Sequence, residues 1–200
     1  SFKIMKSEGY TLIEILVAVG IFTTVIAAPT GFFVSSLKGQ QRVLASQELI
    51  DNVSYSLEYV SRTLRMAKKE LDCDSKTDPS TCVCLKNKGY GFNYETTQGG
   101  KGIRFNNYQD SCQEIFWDTS DNQLKEIKDG GVPVALTPRK LEVVSFKIGT
   151  TTPDIWSQDN DKQARVTLFL EIQAKGPEEF GSQPKIQIQT TISQRNLDVQ

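Results

Sequence analysis

GYTLIEILVAVGIFTTVIAAPTGFFV, residues 9–34, opens on a glycine, sets a carboxylate at Glu14 and then stays almost wholly apolar from 15 to 34. As a helix, those last twenty residues measure about 30 Å and match the hydrocarbon core of a bilayer. A lipid-exposed charge at full membrane depth costs about 2.5–3.5 kcal/mol. A signal peptide has no use for Glu14, and a passive anchor would do better without it, so the acid calls for a partner. The alternative is a plain anchor whose Glu14 sits among the headgroups. Lys3 and Lys6 put positive charge before the apolar run, which holds that end in the cytoplasm and sends the C-terminal bulk outward. With Ser1 in the first position, an initiating methionine is expected ahead of it. Pro29 and Gly31 interrupt the run, and a kink or local melting is expected near 25–29, because proline removes a helix hydrogen bond and crowds the preceding turn.

Polarity then changes without a turn signal. Gly39 is the one breaker between 32 and 71, and an isolated glycine rarely stops a helix. Ile50, Val53, Leu57, Val60, Leu64, Ala67 and Leu71 recur at three- and four-residue steps, the stripe of an amphipathic helix. A helix over 10–71 would be about 93 Å long, more than a 200-residue domain can bury. Its first half belongs in a membrane or against other subunits, and its second half needs a sheet across the stripe. Strand-like runs follow at 90–94, 102–106, 114–118 and 124–128, with a hairpin expected at Gly99–Gly102. Longer alternating runs occupy 141–148, 164–174 and 185–193. The fold class is α+β: one long N-terminal helix on a C-terminal antiparallel sheet.

The chain contains no histidine. That removes the commonest general base and zinc ligand, and with them every Ser-His-Asp or Cys-His arrangement. We read the chain as a non-enzyme, with no cofactor and no small-molecule substrate. Lys and Arg total 23 against 24 Asp and Glu, so the whole chain carries no nucleic-acid footprint, though a local basic patch is compatible with one. Four cysteines, Cys73, Cys82, Cys84 and Cys112, fit two disulfides in an exported domain. The short separation of Cys82 and Cys84 disfavours a bridge between them, so each is expected to pair with Cys73 or Cys112 unless one stays free. The simplest pairing is Cys73–Cys82 with Cys84–Cys112, the crossed pairing is the alternative, and a four-cysteine zinc site is disfavoured by the single-residue gap.

Gly9 followed by Tyr-Thr-Leu-Ile-Glu resembles the class III signal of type IV pilins and type II secretion pseudopilins. The resemblance implies that an inner-membrane prepilin peptidase cuts after Gly9 and methylates Tyr10. It also implies that Glu14 pairs with the N-terminal amine of a neighbouring subunit during assembly. Tyr10 stands where the family usually has phenylalanine. Pilins often carry a helix-breaking proline where Pro29 lies, which implies a packing role within a filament. The C-terminal runs LEVVSFKI, QARVTLFLEI and IQIQTTISQRN look similar to the ends of J-type minor pseudopilins and their PilW-like relatives. The resemblance covers 9–35 closely and 141–195 loosely. It implies a pilin-like fold with a leader at 1–9, an assembly half of the helix at 10–35, an amphipathic half at 36–71 and a sheet domain with a disulfide loop at 72–200. The expected partners are other pilin or pseudopilin subunits, prepilin peptidase and the inner membrane, in single-pass topology with the domain periplasmic or extracellular. A DNA-uptake or adhesion module is the alternative.

Asp154, Asp159 and Asp161 share one loop and form a weak calcium candidate; they lack the glycine and distal glutamate of an EF-hand, so a solvated acidic turn is preferred. Trp117 and Trp156 could anchor a partner or fill the core. The Gly99–Gly102 run lacks the spacing and the following helix of a phosphate loop. Asn52-Val-Ser54 fits a glycosylation sequon but falls on the expected helix, and is read as chance.

Overall fold

The computed structural model describes residues 9–149, Trp156, 163–175 and 183–195. The chain divides into two units, Ser1–Leu44 and Ala45–Gln200. Helix α1, Leu12–Arg65, supplies the described helix of both. Within the first unit its apolar side chains are exposed, among them Ile15, Leu16, Val19, Phe22 and Phe33. An 18-residue window reaches a mean hydropathy of 2.2, so the helix is long and apolar enough to cross a membrane. The hydroxyls in this stretch are satisfied inside the helix: Thr23 donates to the Gly20 carbonyl, Thr24 to Ile21 and Thr30 to Ile26, at 2.8–2.9 Å. That back-bonding is what an apolar surrounding demands of a hydroxyl. The melting expected at Pro29 does not occur, because α1 runs through it without a break. Proline deletes one N–H from the ladder, and the turns on either side still hold the helical path.

The second unit holds two antiparallel sheets rather than the single sheet expected. One is a five-stranded meander: β1 (Glu95–Thr97), β2 (Gly102–Asn106), β3 (Cys112–Asp118), β4 (Gln123–Lys128) and β5 (Val134–Ala135), paired in chain order. The other is β6 (Leu141–Gly149), β7 (Arg165–Ala174) and β8 (Lys185–Ser193). The Gly99–Gly102 hairpin joins β1 to β2, with Gly99 and Gly100 at positive φ (66° and 88°), a conformation that costs glycine nothing. The run at 90–94 is not a strand; the chain turns there, and Tyr94 is instead buried in the core.

In β7, Val166, Leu168, Leu170 and Ile172 alternate inward as period-two patterning requires. In β6 the pattern changes phase. Leu141 and Val143 are buried, then Phe146 and Ile148, and a bulge between Val143 and Ser145 makes the odd and even pairs share one face. The extra residue, Val144, is turned outward. Against both sheets lies the buried stripe of α1, which is Leu49, Val53, Ser56, Val60 and Leu64. Leu49, not Ile50, begins it: Ile50 is 51% exposed. Each large side chain fully buried here contributes about 1.5–3 kcal/mol. Ser56 fits the stripe because its hydroxyl donates towards the Asn52 and Leu136 carbonyls at 2.9 and 2.8 Å.

Helix α1 stops at Arg65, short of the Leu71 expected. Backbone pairing wins over the helical pattern: the Lys68 N–H donates to Asn106 O and the Glu70 N–H to Phe92 O, each at 2.8 Å. Leu71 is left exposed.

A polar cluster also ties α1 to the meander. The Tyr59 hydroxyl donates to Glu126 Oε2 at 2.7 Å and accepts from Lys128 Nζ at 3.2 Å, while Gln113 donates to the same carboxylate oxygen. Burial, then the bond to Glu126, push the Tyr59 phenol above its ordinary value of 10.0. The folded state therefore holds this proton more tightly than the unfolded chain. The resulting stability is complete below the ordinary phenol value and is lost as pH rises through the folded one. Tyr59→Phe should lower stability by about 1 kcal/mol near neutral pH. In urea titrations followed by tryptophan fluorescence, that gap should narrow as pH climbs past about 10. A gap constant across that range would separate the effect from the phenol's ionisation.

Candidate functional site

At the head of α1, Thr11 and Glu14 bond reciprocally. The Glu14 N–H donates to Thr11 Oγ1 at 3.3 Å, and Glu14 Oε2 accepts from the Thr11 N–H and hydroxyl, both at 3.4 Å. This is the capping-box arrangement, in which a threonine and a glutamate three residues on answer two free helix N–H groups. The distances are long, so each bond is weak. The signal was present in the sequence as Thr-x-x-Glu before an apolar run, and the reading above overlooked it. A carboxylate there also suits the positive end of the helix. Glu14 stays solvent-exposed, as do Gly9 and Tyr10. Tyr10, Glu14, Ile15, Ala18, Val19 and Phe22 line a shallow concavity of about 460 Å³ on one helix face, with Glu14 its one charged member. The arrangement thus offers a carboxylate at the rim of an uncovered apolar face.

The cysteines form two bridges, Cys73–Cys82 and Cys84–Cys112. This is the simpler of the two pairings considered, and it leaves no thiolate for zinc. The first closes a loop of sequence separation 9, and the second ties that loop to β3 across a separation of 28. The organiser of the loop is a residue the sequence did not single out. Glu70 is fully buried, and its carboxylate accepts from the N–H groups of Cys84, Leu85 and Asp72 at 2.9–3.0 Å. Glu95, also buried, accepts from the Asn87 N–H at 2.8 Å and from the Asn87 side chain. Both glutamates complete backbone that has no sheet to pair with. Glu70 stands off the apolar stripe, between Ala67 and Leu71, and Glu95 directly follows the run at 90–94; nothing at either position marks a carboxylate for burial, so neither was legible beforehand.

Trp156 belongs to the core. It is buried, stacks edge-on with Tyr94 at 5.8 Å and donates its indole N–H to the Arg165 carbonyl. Trp117 is half-buried beneath Lys101, whose Nζ stands 5.3 Å from the ring centroid. Gly99 and Gly100 make a hairpin, as described, and no helix follows to bind phosphate. Asn52 lies within α1 and donates to the Glu48 carbonyl. Asp154, Asp159 and Asp161 lie outside the described residues. Among the described residues, no three His, Cys, Asp or Glu side chains gather as a metal site.

Comparison with protein-family models, with curated proteins and with solved structures finds no match to this chain.

Glu70→Gln should destabilise the domain by about 1.5–3 kcal/mol, since one acceptor oxygen is replaced by an amide that donates towards N–H groups. Urea unfolding under non-reducing conditions measures it. A change within error would mean that the disulfides alone hold the loop.

Proposed function

We propose that this chain is a minor pilin or pseudopilin, an assembly subunit rather than an enzyme. Prepilin peptidase removes residues 1–9 and methylates Tyr10. The apolar part of α1 holds the precursor in the inner membrane and later packs among neighbouring helices of a type IV pilus or type II secretion pseudopilus. The role proposed is in filament initiation or at the tip, as a J-type, PilW-like subunit. The observation that carries this reading is the uncovered apolar face of α1 with Glu14 at its head. Such a face requires lipid or other helices, and a carboxylate at its rim gives a neighbour's amine something to meet.

The Thr11–Glu14 bonds support a second reading, a helix-anchored extracytoplasmic module that binds a surface or DNA and never polymerises. There Glu14 is only a helix cap. Substitution separates the two, because glutamine serves a capping box as well as glutamate does but cannot pair as a charge. In the assembly reading, Glu14→Gln and Glu14→Ala should both be excluded from sheared or detergent-extracted filaments, since losing one partner of a buried ion pair costs about 3–5 kcal/mol. In the capping reading, Glu14→Gln behaves as wild type. Mass spectrometry of the membrane-extracted protein should also show N-methylated Tyr10 at the start. An intact leader in cells with an active prepilin peptidase would sink the assignment of Gly9.

A further inference from the structure

Among the described residues, three of the four sheet edges in the second unit are blunted. β1 and β5 are three and two residues long, and short edges recruit poorly. β6 lies against β2, β3 and β4, and its Val143 N–H donates to Asn122 O at 2.7 Å. β8 is different: nine residues, paired on one side with β7 and uncharged from Ile186 to Ser193.

Register fixes which groups face outward. The Ala174 N–H donates to Pro184 O and the Gln194 N–H to Ala164 O, at 3.1 and 2.9 Å. Even-numbered residues of β8 therefore spend their backbone groups on β7. Gln187, Gln189, Thr191 and Ser193 turn theirs to the free edge. Arg195, next in that series, donates its N–H to the Arg65 carbonyl of α1 at 2.8 Å. The other outward groups have no backbone partner among the described residues. The middle of this edge, at Ile188, Gln189 and Thr190, and Arg195 beyond it line a groove of about 720 Å³ between β8 and α1, walled by Leu57, Ser61, Arg62 and Arg65 on the helix side. Glu58 pairs with Arg62 at 3.2 Å, whereas Arg65 and Arg195 make no salt bridge among the described residues. The closed end of the groove is thus positive.

We propose that this groove takes an extended, acidic segment of a partner protein, added antiparallel to β8 as a further strand. Main-chain bonds to Gln187, Gln189 and Thr191 supply the attachment, the mode by which sheet edges recruit peptides. Every strand pair in both sheets is antiparallel, and continuing that pattern brings the N-terminal end of the added segment to Arg65 and Arg195. Carboxylates at that end meet the two guanidiniums in charge-assisted bonds.

The test uses the full chain in detergent micelles and a fluorescein-labelled peptide that begins with two aspartates and continues as alternating threonine and valine. Fluorescence anisotropy should report binding, and hydrogen exchange should slow at Gln187, Gln189 and Thr191. Arg65→Glu combined with Arg195→Glu should weaken binding about tenfold or more, and a lysine-headed peptide should recover it. Gln189→Pro should abolish binding with the urea midpoint unchanged, since a free edge tolerates proline where its N–H faced outward. Absence of binding, equal binding of the lysine-headed peptide by the wild type, or no protection at β8 would overturn the proposal. So would self-association that Gln189→Pro blocks, which assigns the edge to a second copy. Binding that appears only after removal of residues 196–200 would overturn it as well, assigning the groove to the chain's own end. None of these readouts depends on Glu14.

Discussion

The last turn of α1 is buried on one side, at Leu64, as is the chain just past it at Ala67, and carbonyl oxygens on that side lie out of reach of water. Leu64 and Ala67 are both fully enclosed. Three donors from distant parts of the chain answer them: the Tyr94 hydroxyl on Leu64 O at 2.6 Å, the Arg195 N–H on Arg65 O at 2.8 Å and the Gln194 side chain on Ala67 O at 2.6 Å. Tyr94 immediately precedes the meander, and Gln194 and Arg195 immediately follow β8. The same set of caps thus draws the first strand of one sheet and the last strand of the other to a single point. Leaving one such carbonyl unanswered costs about 1–3 kcal/mol. The helix end therefore constrains where both sheets begin and finish.

That constraint explains which parts of the fold were legible. The strands at 102–106 and 185–193 appear where alternation and turn residues placed them, and so does the glycine hairpin. Those features are local, and the sequence beside them carries the information. The end of the helix is not local. Ala67 and Leu71 continue the helical spacing, but Asn106 and Phe92 capture the backbone of Lys68 and Glu70 from far along the chain. The stripe was read one residue out of phase at its start for a similar reason. Ser56 looks like a gap in an apolar pattern until the Leu136 carbonyl is seen beside it. Likewise, 90–94 is apolar and aromatic as a strand would be, yet Tyr94 serves as core filling and helix cap at once.

The candidate site was legible in a different proportion. Glu14 could be named from its place at the lip of an apolar run, and Gly9 and Tyr10 only through the resemblance of that junction to a processing signal; all three are exposed at the head of an apolar helix. The disulfide pairing could be narrowed to two arrangements and no further. Its buried organisers, Glu70 and Glu95, could not be foreseen. Charged residues that fall off an apolar stripe or at the end of a strand-like run read as surface, and only the backbone N–H groups converging on them show otherwise.

Glu14 remains the residue whose meaning the local geometry leaves divided, and the division is useful. Among the described residues the hydrogen-bond partner of its carboxylate is Thr11, one turn away. The core of the second unit is built from Leu49, Val53, Val60 and Leu64 with the two sheets, and touches none of that turn. A change at Glu14 can therefore act on the helix head or on whatever meets it, and has no route to the core through these bonds. Exposed caps contribute little: substituting such a residue costs about 0.5–2 kcal/mol of local helix stability. An effect on assembly much larger than that would have to come from a charge met outside the chain.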